Sequence, residues 1–233
     1  MSFCRRASRL AAPVLLALGL LPGGCGSSAG ESFVCLDLSS APAEADTAKP
    51  KDFLAGPYTK LAIEIDYDTI VPPEGDILEA FRSYIAARVE PKTVEVEVRQ
   101  IAHVKADGPP TIEELRAAEA LTRRAATGGD TIVLHVLYLT ESVPGYGGFQ
   151  LRPSSFCVLG ADEHEPPQHL CALVHETGHV LGLVGNGAPA IVAHMTGDHV
   201  HCTNPGCAMQ PVLSNAGTYC EDCLADLRRI GGH

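Results

Sequence analysis

His175-Glu176-Thr177-Gly178-His179 is an H-E-x-x-H run. Two histidines four residues apart stand one above the other on one face of a helix, so both imidazoles can reach one metal ion while Glu176 sits on the adjoining edge. Zinc held by neutral imidazoles lowers the pKa of its water towards neutrality, and a carboxylate within hydrogen-bond reach can take the proton as that water attacks a carbonyl. These residue types in this order point to hydrolysis. Two histidines leave such a site incomplete, because catalytic zinc takes three protein ligands and a water. Downstream, Gly182, Gly185 and Gly187 let the chain turn, and the next donors are His194, Asp198, His199 and His201. Immediately beyond them come Cys202, Cys207, Cys220 and Cys223, the last two a C-x-x-C. Four thiolates so spaced suit tetrahedral zinc, whereas in an oxidising compartment the same four would pair as two disulfides.

The run continues as Val180-Leu181-Gly182, giving H-E-x-x-H-x-x-G, and in this it resembles the metzincins. In that family the glycine ends the active-site helix and a third ligand follows three residues later; here that position is Gly185, which offers no donor. His201-Cys202, Cys207 five residues on, Met209 two later and Cys220-Glu221-Asp222-Cys223 are similar to the archaemetzincin signature, with residues 184–200 standing as an insertion. The resemblance spans about residues 172–224. It implies an α+β, metzincin-like zincin with a mixed twisted sheet, an H-E-x-x-H active-site helix, a Met-turn at Met209 and a Cys-rich C-terminal region. It further implies His201 as third ligand of a catalytic Zn2+, with Glu176 as base, and the four cysteines as a second, structural Zn2+ site. The activity implied is zinc-dependent hydrolysis of peptide bonds in a peptide or protein substrate. The alternative is a zinc-binding envelope lipoprotein without activity, in which Glu176, no ligand itself, would have nothing to do.

The elements that must position these residues are legible in the hydropathy pattern. Residues 61–67 and 93–99 alternate apolar and polar as strands do, and residues 131–139 read as a buried strand rich in Ile, Val and Leu. Helical period runs over residues 76–89, after Pro72 and Pro73, and Thr111-Ile112-Glu113-Glu114 opens a second helix as a capping box, expected to reach Thr127 before Gly128 and Gly129. That alternation of strand and helix builds a twisted sheet of four or five strands with helices packed on it. Residues 155–159 are expected as a short edge strand able to pair with an extended peptide, and residues 169–184 as the helix that carries the chemistry. Cys157 and Cys171 are candidates for a disulfide with each other or with Cys35, and His103, His135 and His164 for ordinary surface or core histidines.

Residues 1–25 read as a signal peptide: Arg5, Arg6 and Arg9 precede an apolar run too short to span a bilayer, and Leu21-Pro22-Gly23-Gly24-Cys25 resembles a lipobox, making Cys25 the candidate lipidation site. Residues 26–57, with scattered Ser and Pro, read as a tether, and residues 58–233 as the metallopeptidase domain, a single monomeric unit. The expectation is an exported protein of a bacterial envelope, anchored in the membrane by lipid at Cys25 or released into the periplasm or medium. Asp and Glu outnumber Lys and Arg by 28 to 17. A formal charge of -11 gives no basic surface for phosphate and excludes nucleic acid as a partner.

Overall fold

The structure is a computed structural model, which describes residues 48–68, 73–105, 108–140, 147–151, 154–160, 166–187, 190–197, 200–212 and 217–232. The leader, Cys25, Cys35, His164, Asp198 and His199 lie outside the described residues. The elements run α1 (Pro50–Leu54), β1 (Lys60–Tyr67), α2 (Gly75–Ala86), β2 (Thr93–Gln100), α3 (Ile112–Thr122), β3 (Thr131–Leu139), β4 (Gly148–Leu151), β5 (Phe156–Gly160), α4 (Pro166–Val180) and α5 (Glu221–Gly231). The strands form one sheet in the order β2-β1-β3-β5-β4. Every pairing is parallel except that of β4 with β5, so the sheet is mixed and mostly parallel.

The chain leaves β1 through α2 to one neighbouring strand and returns through α3 to the other. Two right-handed crossovers in opposite directions place their helices on opposite faces of the sheet. Leu61, Ile63 and Ile65 of β1 and Ile132, Leu134 and Val136 of β3 therefore join Phe81, Ile85, Leu173 and Val174 of α2 and α4 in one core. Leu137, Leu139, Phe156 and Val158 meet Leu115 and Ala118 of α3 in another. β3 is buried on both faces, which explains its near-continuous apolar sequence.

Several expectations need correction. Residues 156–160 are not the edge of the sheet, because β4 folds back antiparallel outside β5 and takes that place. α3 stops at Thr122 rather than Thr127. The cause is the pair of carboxylates on β1: the backbone N–H groups of Arg124 and Ala125 donate to Glu64 at 2.9 and 3.0 Å, and the Arg124 guanidinium donates to Asp66 at 2.7 Å. Satisfying two buried carboxylates outweighs one more turn of helix. α4 begins three residues before the expected His169, since proline fits a first helical turn, and ends at Val180. α1 falls inside the expected tether, yet Phe53 and Leu54 are buried in the main core, so the folded unit reaches back at least to Pro50. His135 is a core histidine, with Nε2 3.0 Å from Asp66 Oδ2. No helix among the described residues is long and apolar enough to cross a membrane.

Candidate metal centres

α4 carries His175, Glu176 and His179 across the face of α2 and beside β4 and β5, and all three side chains are buried. The Nε2 atoms of His175 and His179 lie 3.1 Å apart. His175 Nδ1 donates to the carbonyl oxygen of Ala208 at 2.7 Å, so its Nε2 presents a lone pair. Two imidazole nitrogens so close, one of them fixed as an acceptor by its backbone partner, form an arrangement that a cation between them satisfies. His201 closes the group: its ring centroid is 5.4 Å from that of His175 and 6.0 Å from that of His179, and the three ligand nitrogens lie within 4.8 Å of one another. The donor set is one that zinc takes in catalytic sites.

The chain reaches His201 through a sharp exit from α4. Gly182 adopts φ +93°, a left-handed conformation, and a Cβ there would meet Pro50 Cβ at 2.7 Å, so glycine serves both the turn and the approach of α1. The insertion then folds back: Thr196 N–H donates to His201 O at 2.8 Å, and Met195 bridges Cys202 antiparallel. Met209 is fully buried, and its sulfur, with the Tyr219 ring, occupies the space that any side chain at Gly178, the residue before His179, would need. Cys202 N–H donates to Met209 O at 2.7 Å, tying the methionine turn to the cysteines.

Burial shapes the electrostatics. It pushes the Glu176 carboxyl up to about 8 and lowers His175 to about 4, an effect the Ala208 carbonyl partly opposes. His175 is thus neutral and ligand-ready at any ordinary pH. Glu176 Oε2 has no hydrogen-bond partner among the described residues. A Cβ on Gly148, the first residue of β4, would come within 3.1 Å of Glu176 Oε1. The edge strand and the carboxylate are in direct contact.

The four cysteines form a second group. Their sulfurs lie within 4.8 Å of one another, with 3.7 Å between Cys202 and Cys220 and between Cys207 and Cys223, and all four are free thiols. Four sulfurs about 2.3 Å from a zinc ion stand roughly 3.8 Å apart at tetrahedral angles, so this spacing fits the ion. The hydrogen bond shared with Cys223, with that donated by the Cys220 backbone N–H at 3.2 Å, lowers Cys207 below the ordinary thiol range. Cys157 and Cys171, candidates for a disulfide with each other or with Cys35, are buried free thiols. His194, one of the candidate third ligands, is buried against the cysteines instead, 3.4 Å from Cys202 Sγ.

The overall structure matches the crystal structure of archaemetzincin from Methanopyrus kandleri, with a TM-score of 0.51, 20% sequence identity, and coverage of 76% of this chain and 98% of that one. The fold is archaemetzincin-like. No protein-family model matches the sequence, and no curated protein is significantly similar to it. The two donor groups, three histidines and four cysteines, are both sets that could hold a metal ion, and both are donor types zinc takes. Sequence reasoning missed Asp226 and weighed His194 only as a candidate third ligand. Asp226 follows Cys223 by three residues on a helix, a spacing that signals a shared face, whereas nothing in the sequence of the insertion marks where His194 points.

Proposed function

We propose that this chain is a zinc-dependent peptidase. The observation that carries the reading is the convergence of three histidine donors, two on α4 and one beyond the insertion, with a buried carboxylate on the same helix that has an unpartnered oxygen. His175, His179 and His201 hold the catalytic ion, and Cys202, Cys207, Cys220 and Cys223 hold a second, structural one. Zinc in the histidine site supplies a Lewis acid that polarises a carbonyl and lowers the pKa of water. Glu176 takes the proton from the attacking water and passes it to the leaving amine, a sequence its position beside the donors permits. The ring of His175 is held in its orientation by Ala208 O.

The substrate is a peptide or protein segment in extended form. The outer edge of β4 has no strand partner among the described residues, and Gly148 at its start lies close to Glu176, so an extended peptide added there would bring its carbonyls near the base. Export and a lipid anchor at Cys25 complete the proposal, placing the enzyme as a monomer at a bacterial envelope. The test is hydrolysis of a mixed peptide library by the metal-loaded protein, before and after chelation and after zinc is restored. Loss on chelation with recovery on zinc is expected; cleavage that survives complete metal removal would sink the reading.

A further inference from the structure

His194 takes no part in the histidine site, yet it is among the most constrained side chains in the insertion. It is 4% exposed, and its Nε2 lies 2.9 Å from Oδ2 of Asp226, itself 3% exposed. Asp226 stands on α5 one turn beyond Cys223, and its other oxygen accepts the backbone N–H of Ile191 at 2.7 Å. The backbone of His194 is pinned as well, since its carbonyl accepts the N–H of Thr203 at 2.8 Å and the Thr203 hydroxyl at 3.1 Å. With both its backbone and one ring nitrogen fixed, the ring turns Nδ1 onto the cysteines, 3.4 Å from Cys202 Sγ and 3.9 Å from Cys223 Sγ. The four sulfurs form a closed group to which this nitrogen does not belong, so the ring lies outside the Cys202 and Cys223 edge.

We propose that His194, aligned by Asp226, is the positioning residue of the four-cysteine centre, holding Cys202 and Cys223 at the spacing a tetrahedral metal ion requires. The inference rests on reading that cluster as a metal site. The insertion between α4 and His201 then has a role: with both ring nitrogens of His194 donating, Nε2–H to Asp226 and Nδ1–H towards the thiolates, it delivers an outer donor to sulfurs that come from two different elements, the loop at Cys202 and helix α5 at Cys223. Outer partners of this kind orient ligands and affect affinity by about 10- to 100-fold.

The experiment uses the full chain with His194→Ala, His194→Gln and Asp226→Asn, each prepared with zinc and, separately, with cobalt(II). Zinc per chain, chelator competition, and the cobalt-thiolate charge-transfer spectrum are recorded, together with free thiols counted after anaerobic denaturation. Expected are a cobalt spectrum of four thiolates in the wild type, metal affinity at the cysteine centre lower by about 10- to 100-fold in His194→Ala with displaced charge-transfer bands, and partial rescue by the hydrogen-bonding amide of His194→Gln. Asp226→Asn should fall between. Variants that unfold at lower temperature yet keep wild-type affinity and cobalt spectrum would overturn the proposal alone, by leaving His194 a packing role. A wild-type spectrum of three thiolates and one imidazole would overturn it by making His194 a ligand. Four cysteines recovered as disulfides without metal would defeat the cluster reading itself, and the proposal with it. Should His194→Ala fail to fold, the two conservative variants decide the matter by the same readouts.

Discussion

A buried carboxyl beside three metal donors is held in tension until an ion arrives. In the metal-free chain burial pushes Glu176 from 4.5 to about 8. Between those values the folded state binds more protons than the unfolded one, so this group makes the apoprotein less stable as pH rises. The Glu176→Gln chain has no such dependence. In excess chelator its melting temperature should gain on wild type progressively from about pH 5 to about pH 8, and a difference independent of pH would contradict the burial argument. His175 acts in the opposite sense: lowered to about 4, it favours the folded state increasingly as pH rises from about 4 to 6.5, which is why the comparison is made between two chains rather than across one. Among the candidate third ligands, His201→Ala should lower zinc affinity at the histidine site and abolish hydrolysis, while His194→Ala should leave that ion bound. Metal analysis showing the reverse would move the ligand into the insertion. The pair His175 and His179 was legible because helical geometry alone sets it. His194 was not, since the direction of a loop side chain is decided by a carboxylate on α5 thirty-two residues away.

At the scale of elements, β4 carries the prediction most specific to this fold. A methyl group on Gly148 would meet Leu159 at 2.7 Å and Glu176 Oε1 at 3.1 Å. Gly148→Ala should therefore displace the base, reducing kcat by roughly tenfold or more with zinc content unchanged, because small misplacements of a catalytic group are costly. Unaltered kcat would separate the edge strand from the chemistry. The capping box of α3 gives a prediction on stability alone: Thr111 Oγ1 accepts the Glu114 N–H at 3.2 Å, and Glu114 returns the bond to Thr111 N–H at 2.7 Å. Thr111→Ala should lower stability by about 1 kcal/mol in denaturant unfolding, leaving activity intact. That box, β1, β2 and β3 were readable because local pattern and propensity agree with their tertiary setting. β4 was not, as four residues with glycine at the start carry no period, and the early end of α3 was hidden because it answers carboxylates on another strand.

For the whole molecule, sequence order was enough to expect a twisted sheet with helices packed on it, and the handedness of the crossovers then puts α2 and α3 on opposite faces. The expectation of a tether through residue 57 failed at α1 because Phe53 and Leu54 are apolar only at two positions, too few to stand out before the core that receives them is known. The proposed anchor is tested on the full chain: the wild type should partition into detergent and Cys25→Ala should remain in the aqueous phase, whereas equal partitioning would remove the anchor. The most direct test of the central claim joins the two properties of the histidine site in one experiment, zinc content and peptide hydrolysis of wild type and Glu176→Gln side by side. The account predicts equal zinc in the histidine site and hydrolysis reduced by about two to four orders of magnitude in the variant, because the ligands stay while the proton acceptor is lost. Near-full hydrolysis by Glu176→Gln with its zinc in place would contradict it.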